Sequence, residues 1–345
     1  MQGAQKFGGK RELIARGLLG SGALSIFDQL PAKDSLLVLN HHRIGNPEDD
    51  LFDPGVFSAT ADMLDQQVTF LKRNHSLVTL EEALAFVDGT SKERTRRCRV
   101  LITFDDGYLD NYKIAFPILR SHGVQGVFFL CTSLVGLNYI PWWDRIAYLV
   151  KTARQRRFSL GYPGDLAVDI DRDGFDTSLR AILKHYKNPG NTDGARFIRE
   201  LVEAAQGVEP PGTLRRFLNW DEAGEMICGG MAIGSHAQSH TVLSQLEPEK
   251  QLEELSESRA ILKRHLGIEA DALAYPVGAK TSFSAITEKL AQDVGYRAAF
   301  SFHGGVNLPK TMRRYDLKRV QIGSRSMDRF RVQAWVCRLT GKYWP

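Results

Sequence analysis

Short runs of apolar, β-type residues alternate along this chain with stretches whose apolar positions recur at helical spacing. Leu36-Leu37-Val38-Leu39 reads as a first strand, ending at Asn40-His41-His42. A helix is expected around Ser58–Asn74, where Phe57, Met63, Leu64, Val68, Phe70 and Leu71 supply an apolar face. A short strand at Ser76–Leu80 follows, then a helix opened by Thr79-Leu80-Glu81-Glu82, a capping-box pattern. Arg99–Phe104 is an uninterrupted strand of the buried kind, stopped by Asp105-Asp106-Gly107. A helix over Asn111–His122 and a strand over Gly126–Cys131 come next. Further strands are predicted at Met231–Gly234, Ala272–Tyr275, Arg297–Phe302 and Leu317–Ile322, with helices over Pro248–Leu266 and Ser284–Val294.

Seven or eight strands joined by crossover helices predict a barrel-like α/β fold rather than an open two-domain chain. Residues 145–215 interrupt the rhythm with helical patterns at Arg145–Arg154 and Thr177–Lys187, a turn-rich NPGNTDG stretch, a further helix and Pro210-Pro211. They read as a mainly helical insertion in a barrel spanning 35–345, preceded by an N-terminal helical segment over 1–34. Within the insertion, Asp169-Ile170-Asp171-Arg172-Asp173-Gly174 imitates the start of a calcium loop. Its twelfth position is Arg180 instead of a bidentate Glu, so calcium is excluded there.

Composition refines this picture only slightly. At 345 residues, 43% hydrophobic and 25% charged, the chain can bury most of its surface without a metal or disulfide as a staple. A metal site would therefore serve chemistry. Lys+Arg of 45 against Asp+Glu of 40 gives +5, and the basic run Arg94–Arg99 reads as a solvated approach to a strand, so no nucleic-acid partner is expected. Cys98, Cys131, Cys228 and Cys337 form no CxxC pair, which suits a reducing compartment such as the cytoplasm. The N-terminal LIARGLLGSGALSIF is broken by Arg16 and diluted by three glycines, and no small-x-small cleavage site stands out. It reads as an amphipathic docking helix, with weak membrane-surface contact as the lesser alternative.

Two segments carry candidate chemistry. Thr103–Tyr108 (TFDDGY) sits where a buried strand ends, the place where such folds gather catalytic groups. Neighbouring residues point different ways, so one carboxylate can bind a metal while the other faces substrate. The bland alternative is a helix cap. Gly234–His240 (GSHAQSH) places His236 and His240 four apart, a spacing that puts both imidazoles on one face of a helical turn. Alone, they could equally be surface histidines. One carboxylate and two histidines together make the open zinc set that leaves room for water.

TFDDGY, the HxxxH segment and Ala274–Gly278 (AYPVG) together resemble the polysaccharide deacetylase family, carbohydrate esterase family 4. Asn40–Ile44 resembles the family's early "YHRI" segment, and Pro141–Arg145 (PWWDR) and Asn219–Glu222 (NWDE) resemble recurring flanks. The resemblance implies a distorted (β/α) barrel of about seven strands that removes N-acetyl groups from a saccharide with a divalent metal, zinc first. It implies Asp106, His236 and His240 as metal ligands and Asp105 as general base. It also implies an oxyanion-binding N–H at Val277, and Tyr275 lining the sugar pocket or packed as a strand-end aromatic. Trp142 and Trp143 would stack on a sugar or belong to the core.

Some positions depart from the family pattern. Ala237 stands where Ser or Thr often follows the first histidine. Ala274 replaces the arginine of the R-P-P-Y-G motif that orients the base, as in the AYP-type branch. Another cation must then do that work, and Arg319 in LKRVQIG is the candidate. The late Leu-x-His that supplies a general acid is not evident. His303 in SFHGG is one candidate for it and His42 the other, because its strand should end on the same barrel face, though His42 is expected near the metal and substrate rather than as the proton donor. Alternatives to a saccharide deacetylase are a deformylase or amidase on a lipid-linked amino sugar, or a saccharide-binding protein without catalysis.

Overall fold

In Leu36–His41 every residue is buried, as a strand covered on both faces requires. The same holds for Arg99–Phe104 and Gly126–Leu130. The structure, a computed structural model, describes residues 34–91, 97–188, 190–321 and 326–340. Apart from Asp34, the expected N-terminal helical segment lies outside the described residues, as does part of the basic run at Arg94. Seven strands carry the fold: β1 (Leu36–His41), β2 (Arg99–Phe104), β3 (Gly126–Leu130), β4 (Ala232–Ser235), β5 (Ala272–Ala274), β6 (Ala298–Phe300) and β7 (Arg319–Gln321).

Their order is β6-β5-β4-β3-β2-β1-β7, with every pairing parallel. The two ends of this order meet. Phe300 of β6 bridges in parallel to Leu317, just before β7, through Ser301 N–H to Leu317 O and Leu317 N–H to Ala299 O, both 2.9 Å. The result is a nearly closed seven-stranded parallel barrel with helical insertions. A short eighth piece, Ser76–Leu77, pairs with the start of β2.

Period-two alternation sorts the strand residues into two sets. Leu37, Leu39, Val100, Ile102, Phe104, Phe128 and Leu130 pack with the helices outside. Val38, Leu101, Val127, Phe129, Ala272, Ala274 and Phe300 form a separate inner cluster. Asn40, Thr103, Asp105 and Arg319 continue that inner set by register, since Val38 pairs with Arg319 and Leu101, and Asn40 with Thr103. The apolar barrel is thus closed at its carboxyl end by polar groups.

The helix expected at Asn111–His122 has a widened first turn. Asn111–Ala115 is π-helical and Phe116–Ser121 is α-helical. Pro117 has no N–H to continue the regular ladder, so the preceding turn relaxes. The predicted Ser58 helix begins only at Ala61, capped by Thr60, because Phe57–Ala59 pairs instead with Arg43–Ile44.

The barrel unit comprises described residues of 1–45, 57–137 and 217–345; a second compact unit comprises 46–56 and 138–216. The second unit has its own core, with Ile146, Leu149, Leu179, Ile182, Phe197 and Leu201 at its centre. Helices Trp142–Lys151, Phe175–Tyr186 and Gly194–Ala205 enclose it. An antiparallel hairpin, Arg157–Leu160 with Leu166–Asp169, adds a sheet that the helical reading of this stretch lacks. Its strands are four residues each and only partly buried, so apolar periodicity gives little sign of them. Trp143 is buried in this unit and Trp142 stacks on Tyr186 at 4.2 Å, which places both in packing roles. The acids of the calcium-loop look-alike are engaged locally: Asp171 pairs with Arg156 and Asp173 with Arg172.

Candidate metal centre

Asp105 extends the β2 ladder by one residue, its N–H donating to His41 O at 2.9 Å. Its side chain therefore follows Leu101 and Thr103 into the barrel. There Arg319 of β7 grips it in a two-pronged pair, 2.7 Å to Oδ1 and 2.8 Å to Oδ2. Both side chains are buried. Asn40 Nδ2 donates to Asp105 Oδ2 at 3.2 Å, and Asn40 Oδ1 accepts from Arg319 at 3.2 Å. Arg319 Nε also donates to Ser301 O at 2.9 Å. The forked guanidinium and the carboxylate fix one another's orientation.

The next residue leaves the barrel. Asp106 and Gly107 both have φ of +75°, a left-handed turn that L side chains rarely adopt. Glycine suits position 107 by this φ, and a Cβ there would also lie 2.9 Å from Leu130 Cδ2 and push that side chain aside. This turn separates the two adjacent carboxylates. Neither acts as a helix cap: Asp106 Oδ1 faces His236 Nε2 at 3.4 Å and His240 Nε2 at 3.3 Å.

The two histidines do not share a helical turn as their spacing suggested. β4 ends at Ser235, and the chain then runs irregularly with left-handed residues at Ala237 and His240. What brings the imidazoles together is anchoring from other elements. His236 N–H donates to Leu130 O at 2.8 Å, and Ser133 N–H to Gln238 O at 2.9 Å. The Glu254 carboxylate, on helix Pro248–Leu266, accepts from the Gln238 and Ser239 N–H groups at 2.9 Å each and from the Ser239 hydroxyl. Ser235 Oγ accepts from Ala237 N–H at 3.2 Å, so local polar support persists although Ala237 has no hydroxyl.

This anchoring predicts that Glu254→Ala weakens metal binding about 10–100-fold, the usual cost of losing an outer support. Glu254→Gln retains an oxygen for the two N–H groups and should restore most of the affinity. Competition against a chromogenic chelator reads both, and equal affinity in Glu254→Ala would remove Glu254 from this role.

Asp106, His236 and His240 offer donor atoms that all lie within 4.8 Å of one another, the one such group of three among the described residues. Asp106 Oδ1 is buried and accepts no well-formed hydrogen bond. His236 Nδ1 lies 2.8 Å from Ala274 O, which fixes the proton on Nδ1 and turns the Nε2 lone pair toward Asp106. A buried oxygen without a donor, facing two imidazole nitrogens, fits a divalent cation.

Charge supports the same fit. Burial pushes the Asp106 carboxyl up, but His236 and His240 outweigh it and hold it well below the usual carboxylate range. Burial likewise opposes ionisation of Asp105, and the Arg319 charge, with His236, overrides it and keeps the carboxyl low. His236 is pushed down by burial yet ends raised, because Asp105 and Asp106 stabilise its cation. Two ionised carboxylates thus share a small buried space with one fixed guanidinium.

The other predicted residues divide. His42 is half-buried and feels the charges of Asp106 and Asp105, although burial lowers its pKa overall. Its backbone is held at both ends, N–H to Ser58 Oγ at 2.9 Å and O from Asn111 Nδ2 at 2.7 Å. Val277 lies in a tight turn with φ of +62°, closed by Gly278 N–H to Pro276 O at 2.6 Å. Among the described residues nothing accepts the Val277 N–H. Gly278 cannot be enlarged, since a Cβ would meet Phe302 N at 2.8 Å.

The sugar-lining expectation for Tyr275 is corrected: it is fully buried, stacks on Phe283 at 4.3 Å, and donates its hydroxyl to Tyr315 O at 3.0 Å. That is the packed strand-end role. His303 binds Asp316 through Nε2 at 2.7 Å. Sequence reading passed over Asn40, Asn111, Glu254 and the Ala274 carbonyl. Only Asn40 carried a signal, as a buried amide at the end of β1.

Known proteins agree with this architecture. The model of the family described as polysaccharide deacetylase matches residues 92–299. The chain is 22% identical over 231 residues to YxkH of Bacillus subtilis (strain 168), whose name places it with the polysaccharide deacetylases. That match takes in 67% of this chain and 53% of YxkH, so the chain spans about half the length of this curated relative. IcaB from Ammonifex degensii has the same fold, with a TM-score of 0.56 at 20% identity, covering 88% of this chain and 98% of that one. The Streptococcus pyogenes deacetylase PplD, solved in complex with acetate, gives a TM-score of 0.54 at 18% identity, covering 87% and 97%. With more than half of its 345 residues matched to the family model, the chain belongs to the polysaccharide deacetylase family, within the carbohydrate esterase family 4 superfamily.

Proposed function

We propose that this chain is a divalent-metal-dependent N-deacetylase of an N-acetylated saccharide, with zinc as the metal, and that it belongs to the AYP-type branch marked by Ala274–Gly278. The observation that carries the reading is the buried Asp106 Oδ1 facing two imidazoles, beside a second carboxylate held ionised by Arg319. Asp106, His236 and His240 would hold the cation, whose contribution when bound is Lewis acidity toward a carbonyl oxygen and toward water.

The remaining chemistry belongs to the chain. Asp105, unable to turn away from Arg319 and Asn40, presents a fixed carboxylate that takes the proton of the attacking water. The Val277 N–H is the donor for the oxygen that gains charge as the carbonyl becomes tetrahedral. Of the two histidine candidates, His42 stands in the field of both carboxylates, whereas His303 is engaged with Asp316. We therefore assign proton delivery to the leaving amine to His42. Arg319 does not touch substrate in this scheme; it positions Asp105.

No helix among the described residues is long and apolar enough to cross a membrane. None of the four cysteines is in a disulfide. That supports the cytoplasm as the proposed compartment. The test is an acetate-release screen over chitooligosaccharides, peptidoglycan fragments and lipid-linked sugars, with and without chelator. Chelator-sensitive acetate release from at least one class is expected. Formate release would transfer the site to a deformylase, and saccharide binding without release would leave a binding protein. In a His236→Ala/His240→Ala variant, bound metal should fall from stoichiometric to background by elemental analysis; full occupancy would overturn the ligand set.

A further inference from the structure

An open cavity of about 620 Å3 lies on the barrel unit, lined among others by Lys280, His303, Arg313, Asp316 and Lys318. Its size falls within the ~300–1,000 Å3 of small-molecule sites. None of Asp105, Asp106, His236 and His240 lines it. Yet the segments that form it are those that serve the metal centre. Lys280 follows the Val277 turn on the same loop. His303 follows Phe302, whose ring meets that of His42 at 5.7 Å. Lys318 precedes Arg319, the partner of Asp105. Three short connections of the chain therefore link the cavity wall to the elements of the reaction centre.

Its charge is unbalanced in a particular way. Both acids that line it are already engaged: Asp316 with His303 at 2.7 Å, and Glu288 with Arg313 at 2.6 Å. The ammonium groups of Lys280 and Lys318 have no carboxylate partner among the described residues. Lys280 is exposed and Lys318 half-buried, its stem lying along Gly305. Two uncompensated cations beside an imidazole that its acid holds in place form a cleft that favours an anionic guest.

Resting on the saccharide reading above, we infer that this cavity is a subsite for an anionic substituent of the substrate, a carboxylate or phosphate carried on the saccharide. Lys280 and Lys318 supply the charge, and His303, held by Asp316, forms part of the wall. This places His303 in the wall of the subsite in place of the catalytic role considered for it.

The experiment is an NMR titration of the full chain, following the His303 imidazole signals, with inorganic phosphate, D-glucuronate and D-glucose as separate probes. At least one anion should shift the His303 signals saturably while glucose does not, and the tighter anion identifies the substituent. The Lys280→Gln/Lys318→Gln variant, which keeps both stems, should bind that anion about tenfold more weakly. Lys280→Gln alone, on an exposed loop, should show an intermediate loss and guards against misfolding of the double variant. The absence of a saturable shift with either anion, an equal shift with glucose, or undiminished affinity in both variants would overturn the inference. Because no turnover is involved, failure of the deacetylase reading would show separately, as absent acetate release.

Discussion

Asp105→Asn should lower acetate release about 10²–10⁴-fold, the range for removing a positioned general base, with metal content unchanged. The reason lies in the left-handed turn at Asp106 and Gly107. It points the two adjacent carboxylates at different partners, one at Arg319 and one at the histidines. Asn at position 105 removes the proton acceptor but leaves the donors of Asp106, His236 and His240 in place. Steady-state kinetics on the best substrate from the screen, together with elemental analysis of the same preparation, decide the matter. Loss of metal in step with activity would show that the two carboxylates are not separable. Unaffected acetate release would remove Asp105 as the base.

Arg319→Met should destabilise the fold by about 3–5 kcal/mol, the cost of leaving a buried charge without its partner. Arg319 is fully buried and its guanidinium also binds Asn40 Oδ1 and Ser301 O, so its loss releases acceptors on Asp105, Asn40 and Ser301 at once. The deficit should depend on pH with a definite sign. In the native chain the folded-state pKa of Asp105 is depressed, so the pair contributes stability above the unfolded value near 3.9 and loses it as pH falls through the folded value. Without Arg319, burial dominates, the folded pKa rises, and protonation favours the fold. The gap between native and variant should therefore be wide at pH 7 and narrow toward pH 4. Denaturant unfolding at both values measures it. Asp105→Asn/Arg319→Met should recover part of the loss, and a gap that does not change with pH would mean that Arg319 acts by packing alone.

The elements nearest the chemistry differ in how readable they were. Asp105 and Asp106 announce themselves because a wholly buried strand cannot end in two carboxylates without partners for them. The pairing of His236 with His240 was also visible, but its mechanism was not. A spacing of four suggested a helical turn, whereas a loop with two left-handed residues, pinned by Glu254, does the work. Arg319 could be named as a cation near the right strand, but its two-pronged contact with Asp105 spans 214 positions of sequence. Both Arg319 and His42 lie outside the stretch that matches the family model. His42 and His303 both follow a strand, and the sequence favoured His303 as the acid with His42 nearer the metal. The packing separates them by charge, with Asp106 and Asp105 near one and Asp316 bonded to the other.

By itself, the sequence determined the local matters: which segments are strands, where carboxylates and imidazoles stand along them, and that the chemistry collects at strand ends. These follow from hydrophobic periodicity and from the cost of burying unpaired polar groups, both of which act over a few residues. Closure of the barrel through Leu317, the grip of Arg319 on Asp105, the supports at Glu254 and Ala274, and the charged cavity beside Lys280 and Lys318 were decided only by the tertiary structure. Each depends on register between strands far apart in the chain, and register is set by how the whole inner face packs, not by any one segment's pattern.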